Sequence, residues 1–198
     1  MEKEVLEIHS IKDTTANPAP LGLLAFGMTT VLLNLYNAGA YTLGTMILGM
    51  GLFYGGLAQV IVGIMEWKKG NTFGTLAFTS YGLFWLSFVF LKIGGNLNWF
   101  AAPEIGAVVA YLVIWGIFTA VMFFGTLKSN RALQFVFASL ATLFFLLAIA
   151  DATGAGWVMT LAGIEGVICG ASAMYTGLAI TLNEIYDREV LPLWHVKR

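Results

Sequence analysis

Residues 105–125 read IGAVVAYLVIWGIFTAVMFFG, a run without one Asp, Glu, Lys, Arg, His, Asn or Gln. At about 1.5 Å per residue, a helix of this length spans roughly 30 Å, the thickness of a bilayer's hydrocarbon core. Working outward, comparable runs lie on both sides. The pattern predicts spanning helices over 21–39, 43–65, 73–93, 105–125, 132–150 and 157–181. The chain therefore reads as an all-α integral membrane protein, a bundle of six transmembrane helices over 21–181. A polar tail (1–20) precedes it and a second tail (182–198) follows.

Composition agrees. Of 198 residues, 59% are hydrophobic and 11% charged, against about a quarter charged in soluble domains. A net charge of −1 leaves no basic field for a phosphate backbone, so nucleic acid is not an expected partner. Disordered chains and ordinary soluble enzymes are excluded by the same arithmetic. The first twenty residues carry Glu2, Lys3, Glu4, Glu7, Lys12 and Asp13 and lack the apolar core of a cleaved signal peptide.

Charge sets the topology. Lys3, Lys12, Lys68, Lys69, Lys128, Arg131, Arg188, Lys197 and Arg198 fall on one side of a six-span arrangement, and Lys92 alone falls on the other. The positive-inside rule then puts both termini in the cytoplasm of a cell-membrane protein. Tyr41, Trp67, Trp99, Phe100 and Trp157 stand at span ends, where amphipathic rings meet the headgroups. Trp85 and Trp115 stand mid-span, as lipid-facing or packing bulk. Asn17-Pro18-Ala19-Pro20 suits a helix start, with Asn able to cap and Pro harmless in the first turn. Gly51/Gly55 and Gly166/Gly170 are small-xxx-small pairs that let backbones approach, within one subunit or between subunits.

Polar side chains at membrane depth mark pathways by default. The first span carries Thr29, Thr30 and Asn34, and the second Gln59 with Glu66 at its end. The third carries Thr79, Ser80 and Tyr81, the fifth Gln134, Ser139 and Thr142, and the sixth Glu165, Ser172, Tyr175 and Thr176. Single hydroxyls often bond back to their own helix; Asn34, Gln59 and Glu165 demand more. Glu165 is the lone carboxylate well inside a span, and reads either as a proton-sensitive group or as an interhelical hydrogen-bond anchor. No span holds Lys, Arg or His in its interior, so a path must hold an anion by hydroxyls, amides and helix N-termini. Neutral or protonated solutes should cross most easily.

Catalysis finds no parts here. A nucleophile with its base, or a set of metal ligands, is missing at membrane depth. Cys169 is the single cysteine and His9 and His195 lie outside the spans. The expectation is no catalytic residue, no metal and no cofactor.

The run Asn17-Pro18-Ala19-Pro20-Leu21-Gly22 through Phe26-Gly27-Met28-Thr29-Thr30 strongly resembles the signature of the acetate uptake transporter family, the succinate-acetate permeases. Further blocks follow in order: Phe53-Tyr54-Gly55-Gly56-Leu57-Ala58-Gln59, Lys69-Gly70-Asn71-Thr72-Phe73-Gly74, Phe78-Thr79-Ser80-Tyr81-Gly82 and Ile168-Cys169-Gly170-Ala171-Ser172. The resemblance implies a homo-hexamer of six-helix subunits, each with its own path for acetate and, in some members, succinate. It also implies a hydrophobic constriction, which by motif position is Phe26, Tyr81 and Leu140. The family match alone promotes Phe26 and Leu140; the Tyr81 phenol could offer a hydrogen bond to a carboxylic acid. Thr29, Asn34, Gln59, Ser80 and Glu165 are the accompanying candidates for the path. Channel-like and proton-coupled transport both stay open, with protons as a candidate partner beside small carboxylates and membrane lipid. Two alternatives stand: a channel for small neutral solutes such as urea, and a membrane sensor or scaffold that binds acetate without passing it.

Overall fold

The computed structural model describes residues 14–97 and 100–196, without the side chains at 95 and 96. The assignments to Lys3, His9, Lys12, Trp99, Lys197 and Arg198 lie outside the described residues. Six helices of spanning length and composition form where the apolar runs are: α1 (Ala19–Asn37), α2 (Thr45–Lys68), α3 (Thr72–Asn96), α4 (Ile105–Thr126), α5 (Arg131–Thr153) and α6 (Gly156–Ile185).

Local chemistry sets the ends. Asn17 Oδ1 accepts from Ala19 N at 3.1 Å as α1 begins, with Pro in the first turn. Asn130 caps α5 by accepting from Leu133 N at 2.8 Å, so that helix opens at Arg131 rather than 132. Gly154 closes it in the left-handed region (φ 66°), which a residue with a Cβ adopts at a cost. The chain then turns straight into α6, which continues to Ile185 rather than ending at 181.

One element departs from the regular pattern. α2 is α-helical over Thr45–Gly49 and Gln59–Lys68, but Met50–Ala58 is a π-helix. Such wide turns are rare and concentrate at functional sites.

The helices form a ring in chain order. α1 packs most extensively on α6, α5 lies between α4 and α6, and α2 lies between α1 and α3. Small residues make the α1–α6 seam: a Cβ on Gly170 would stand 2.7 Å from the Gly27 carbonyl oxygen, and one on Gly27 would stand 2.6 Å from that of Gly170. Gly51 and Gly55 similarly face Val89, Trp85 and Thr29. Both small-xxx-small pairs are thus occupied by neighbours within the subunit. Between α3 and α4, aromatic rings do the bridging. Phe84 meets Trp115 at 5.2 Å and Tyr111 at 5.5 Å, and reaches Phe144 of α5 at 5.1 Å. Trp85 is 2% exposed, so both mid-span tryptophans serve packing.

The outer surface of the bundle is largely apolar. Ile114, Ile117, Val121 and Phe124 are exposed along one stripe of α4, at helical spacing. Trp67 and Trp157 are exposed at span ends.

The two ends of the bundle differ. Lys69 on the α2–α3 turn donates to the carbonyl of Thr15, just before α1. After α6 the chain folds back beneath the bundle, where Arg131 N bonds Trp194 O at 3.0 Å and Val196 N bonds Ser129 O at 3.1 Å. The described members of the basic cluster, Lys68, Lys69, Lys128, Arg131 and Arg188, therefore share what we call the basic face. Lys92 lies at the opposite, far face.

Candidate functional site

Two cavities enter the bundle from its two ends. On the basic face, a cavity of about 210 Å³ is lined by Phe26, Gln59, Asn71, Tyr81, Asn130 and Leu140 among others. On the far face, a wider vestibule of about 880 Å³ is lined by residues that include Leu33, Phe84, Lys92, Tyr111, Leu147 and Asp151. On α1, Phe26 and Leu33 are seven residues apart, as are Leu140 and Leu147 on α5. Each pair places one residue on each cavity, an offset of roughly 10 Å along the helix. Aromatic rings lie at the level between them: Tyr81 and Phe84 are successive inward residues of α3, and Trp115 touches both.

Tyr81 is 4% exposed and its ring sits 6.1 Å from Phe26, 6.1 Å from Phe137 and 5.6 Å from Phe118. Its phenol donates to Thr119 Oγ1 at 3.0 Å, and Thr119 donates to the Trp115 carbonyl at 2.7 Å. With that hydrogen used within the subunit, the phenol oxygen keeps acceptor capacity, through which it could make the expected hydrogen bond to a carboxylic acid. Thr119, fully buried, is the residue that sequence reasoning missed here. A single Thr in an apolar run reads as a hydroxyl bonded to its own helix, which it is, and the second bond comes from another helix.

Gln59 follows the π-helical turn and is fully buried. Its Nε2 donates to the Gly55 carbonyl at 2.7 Å, while Oε1 is buried without a partner. The first bond fixes the amide's orientation, because a flipped side chain would set two oxygens against each other at that distance. Gln59, a residue that lines the cavity, therefore carries one buried acceptor in need of a donor.

Asn71 is fixed by its neighbours. Its Nδ2 donates to Glu66 Oε2 at 2.7 Å and its Oδ1 accepts from Gly74 N at 3.1 Å, which caps α3.

The structure thus brings Phe26, Gln59, Tyr81 and Leu140 around one cavity. The other four candidates stand outside both cavities. Asn34 lies in the α1–α6 seam, 1% exposed, donating to Thr30 O at 2.9 Å and accepting from Asn37 at 2.9 Å, with Gly166 against its amide. Its amide is thus bonded within its own helix and packed on a glycine of α6. Thr29, fully buried, packs on Gly55 and leaves its hydroxyl unpartnered. Ser80 is half-buried on α3. Glu165 is half-buried one turn before Cys169, and its Oε2 finds no donor. The interhelical bond that one of its two readings requires is not made within the subunit.

The far vestibule holds Lys92, the one basic residue expected on this side, together with Asp151, which the sequence reading did not single out. Lys92 places its ammonium 5.6 Å from the centre of the Phe88 ring, a cation–π distance. Asp151 stands at the end of α5, where a span expected to stop at 150 leaves it in a loop. Among the described residues, no group of His, Cys, Asp and Glu is placed to hold a metal ion.

Comparison with known proteins gives the family and the fold. Residues 5–194 match the sequence model of the GPR1/FUN34/yaaH family. The chain is 54% identical over 178 residues to the succinate-acetate/proton symporter SatP of Escherichia coli K12, covering 90% of this chain and 95% of that protein. It is 35% identical over 197 residues to acetate permease A of Emericella nidulans, covering 91% of this chain and 66% of the other. A solved structure of the bacterial acetate channel SatP superposes with a TM-score of 0.89 at 54% identity, covering 91% of this chain and 99% of that one. Ammonia transport outward protein 2 of Saccharomyces cerevisiae is 40% identical over 171 residues, 83% of this chain and 61% of that protein.

Proposed function

Since this chain belongs to the GPR1/FUN34/yaaH family, a family of acetate transporters rather than enzymes, we propose that it carries acetate across the cell membrane. Each subunit of a hexamer provides its own path, and both termini face the cytoplasm. Phe26, Tyr81 and Leu140 form the narrow point, and the solute crosses it as the protonated acid or as an anion with its proton. Succinate and related small carboxylates are secondary substrates.

The observation that carries this reading is Gln59, which lines the basic-face (inner) cavity and whose Oε1 is buried without a partner. A carboxylate offers acceptors alone and is repelled by that oxygen, whereas a carboxylic acid brings an O–H to donate. The aromatic layer between the cavities acts in the same direction, because it offers no charged side chain to replace the hydration of an ion. Proton dependence then follows from the substrate. With a pKa near that of a Glu side chain, about 4.3, the protonated fraction rises from about 0.2% at pH 7 to about 17% at pH 5.

Labelled acetate uptake into proteoliposomes, corrected for protein-free vesicles, should rise as external pH falls from 7 to 5. Protein-dependent uptake at neither pH would sink the proposal. A neutral-solute channel is the second reading, favoured by the name of the yeast relative. It predicts that urea or ammonia competes with labelled acetate.

A further inference from the structure

The far vestibule carries two opposite charges that the proposed path does not use. Lys92, on α3, is exposed at the mouth with its ammonium over Phe88. Asp151, at the end of α5, is half-buried. Both line the same 880 Å³ space, and Lys92 is close enough for its charge to act on the Asp151 carboxylate. Among the described residues, the two make no direct ion pair, so each keeps capacity for a solute. The other charged side chain on this face is Glu104, exposed beside the lining residues Pro103 and Ile105. The remaining walls are mainly apolar and aromatic, a setting in which a fixed charge reaches farther than it does in open water.

We infer that Lys92 and Asp151 form a charge-counting filter at the far mouth: Lys92 receives one carboxylate, and Asp151 repels a second. This rests on the carboxylate-transport reading above and deepens it by assigning specificity. A monocarboxylate has a single charge to place and meets Lys92. A dicarboxylate seated there carries its second carboxylate into the same confined space, where Asp151 opposes it. The form of a dicarboxylate that passes the mouth is therefore the one with a single charge. Phe88 contributes by holding the ammonium at the wall, which leaves the lumen open to the solute.

The test is competition against labelled acetate uptake at pH 7, with the full chain in proteoliposomes. Both carboxylates of succinate are ionised at that pH, their pKa values lying near those of Asp and Glu. In the unmodified protein, monomethyl succinate, of similar length with one charge, should compete about fivefold or more better than succinate. Asp151→Asn should bring the two competitors together, and Asp151→Glu should restore the gap. Lys92→Gln should weaken both and flatten the dependence of acetate uptake on ionic strength. Equal competition by monoester and diacid in the unmodified protein overturns the filter without any variant having to fold. A gap that survives in folded Asp151→Asn overturns the role of Asp151. Absence of acetate uptake in the unmodified protein would instead strike down the transport reading, and this inference with it.

Discussion

The two mouths of the bundle are built from opposite materials. The far one is wide and holds a cation and an anion beside aromatic walls; the inner one is about a quarter of its volume and holds amides, a phenol oxygen and apolar rings. The same helices supply both, with Phe26 and Leu33 on α1 and Leu140 and Leu147 on α5. Under the proposed path, function is divided along each helix. We propose that charge is handled where water is plentiful, and size and protonation where water is scarce, because a charge in the dry segment would cost several kcal/mol unless paired.

The largest expected effect comes from removing the frame that holds both mouths. A side chain at position 170 of α6 runs into the backbone of α1 at Gly27, where no rotamer change can relieve the overlap. Gly170→Leu should therefore cost at least about 3 kcal/mol and abolish the folded protein. Gly156, which has open space around it, should tolerate Ala. Recovery of monodisperse protein in detergent separates the two. A well-folded Gly170→Leu protein would show that the seam does not set the spacing of the mouths.

A smaller effect should distinguish the mouths from each other. Leu140→Ala removes bulk from the inner cavity and should raise the lactate-to-acetate uptake ratio about tenfold, in the range that one or two methylenes are worth in an apolar pocket. Leu147→Ala, seven residues along the same helix, opens a vestibule that is already wide and should leave the ratio unchanged. If both variants move the ratio alike, or neither does, size selection is not confined to the inner end.

This division of labour was only partly legible in the sequence. The spans were, because twenty apolar residues in a row have few alternatives; their ends shifted where Asn130, Gly154 and the long α6 supplied local reasons. The π-helix was not, since Met50–Ala58 shows no distinct period. Its glycines, which let α2 sit against Trp85 and Thr29, were readable simply as close-packing residues. Asn34 and Gln59 looked alike as intramembrane amides, yet one is satisfied in a seam and the other faces a cavity. Only the partners of each amide separate them. Asp151 falls outside the expected span by one residue, and nothing in the sequence marks it as part of the far mouth.

The smallest effect concerns the segment beneath the inner mouth, for which the far mouth has no counterpart among the described residues. Asn130, which lines the inner cavity, pairs with His195 in an isolated antiparallel bridge. Besides its backbone bonds to Ser129–Ala132, that returning segment is tied down by Asn183. Its Nδ2 donates to Leu191 O at 2.8 Å, and its Oδ1 accepts from Val190 N at 2.6 Å and Leu191 N at 2.9 Å. Tyr175 adds a bond to Pro192 O at 2.8 Å, and Leu193 is buried against the bundle. Asn183→Ala removes the three amide contacts but leaves Tyr175 and Leu193, so the expected loss is about 1–2 kcal/mol of local stability rather than release of the whole segment. Hydrogen exchange should quicken at residues 190–196 and at Ser129–Ala132, which bond to them, while Leu33–Asn37 at the far mouth keeps its protection. Faster exchange at both ends would mean that the two mouths are coupled through the helices, and the separation drawn between them would have to be given up.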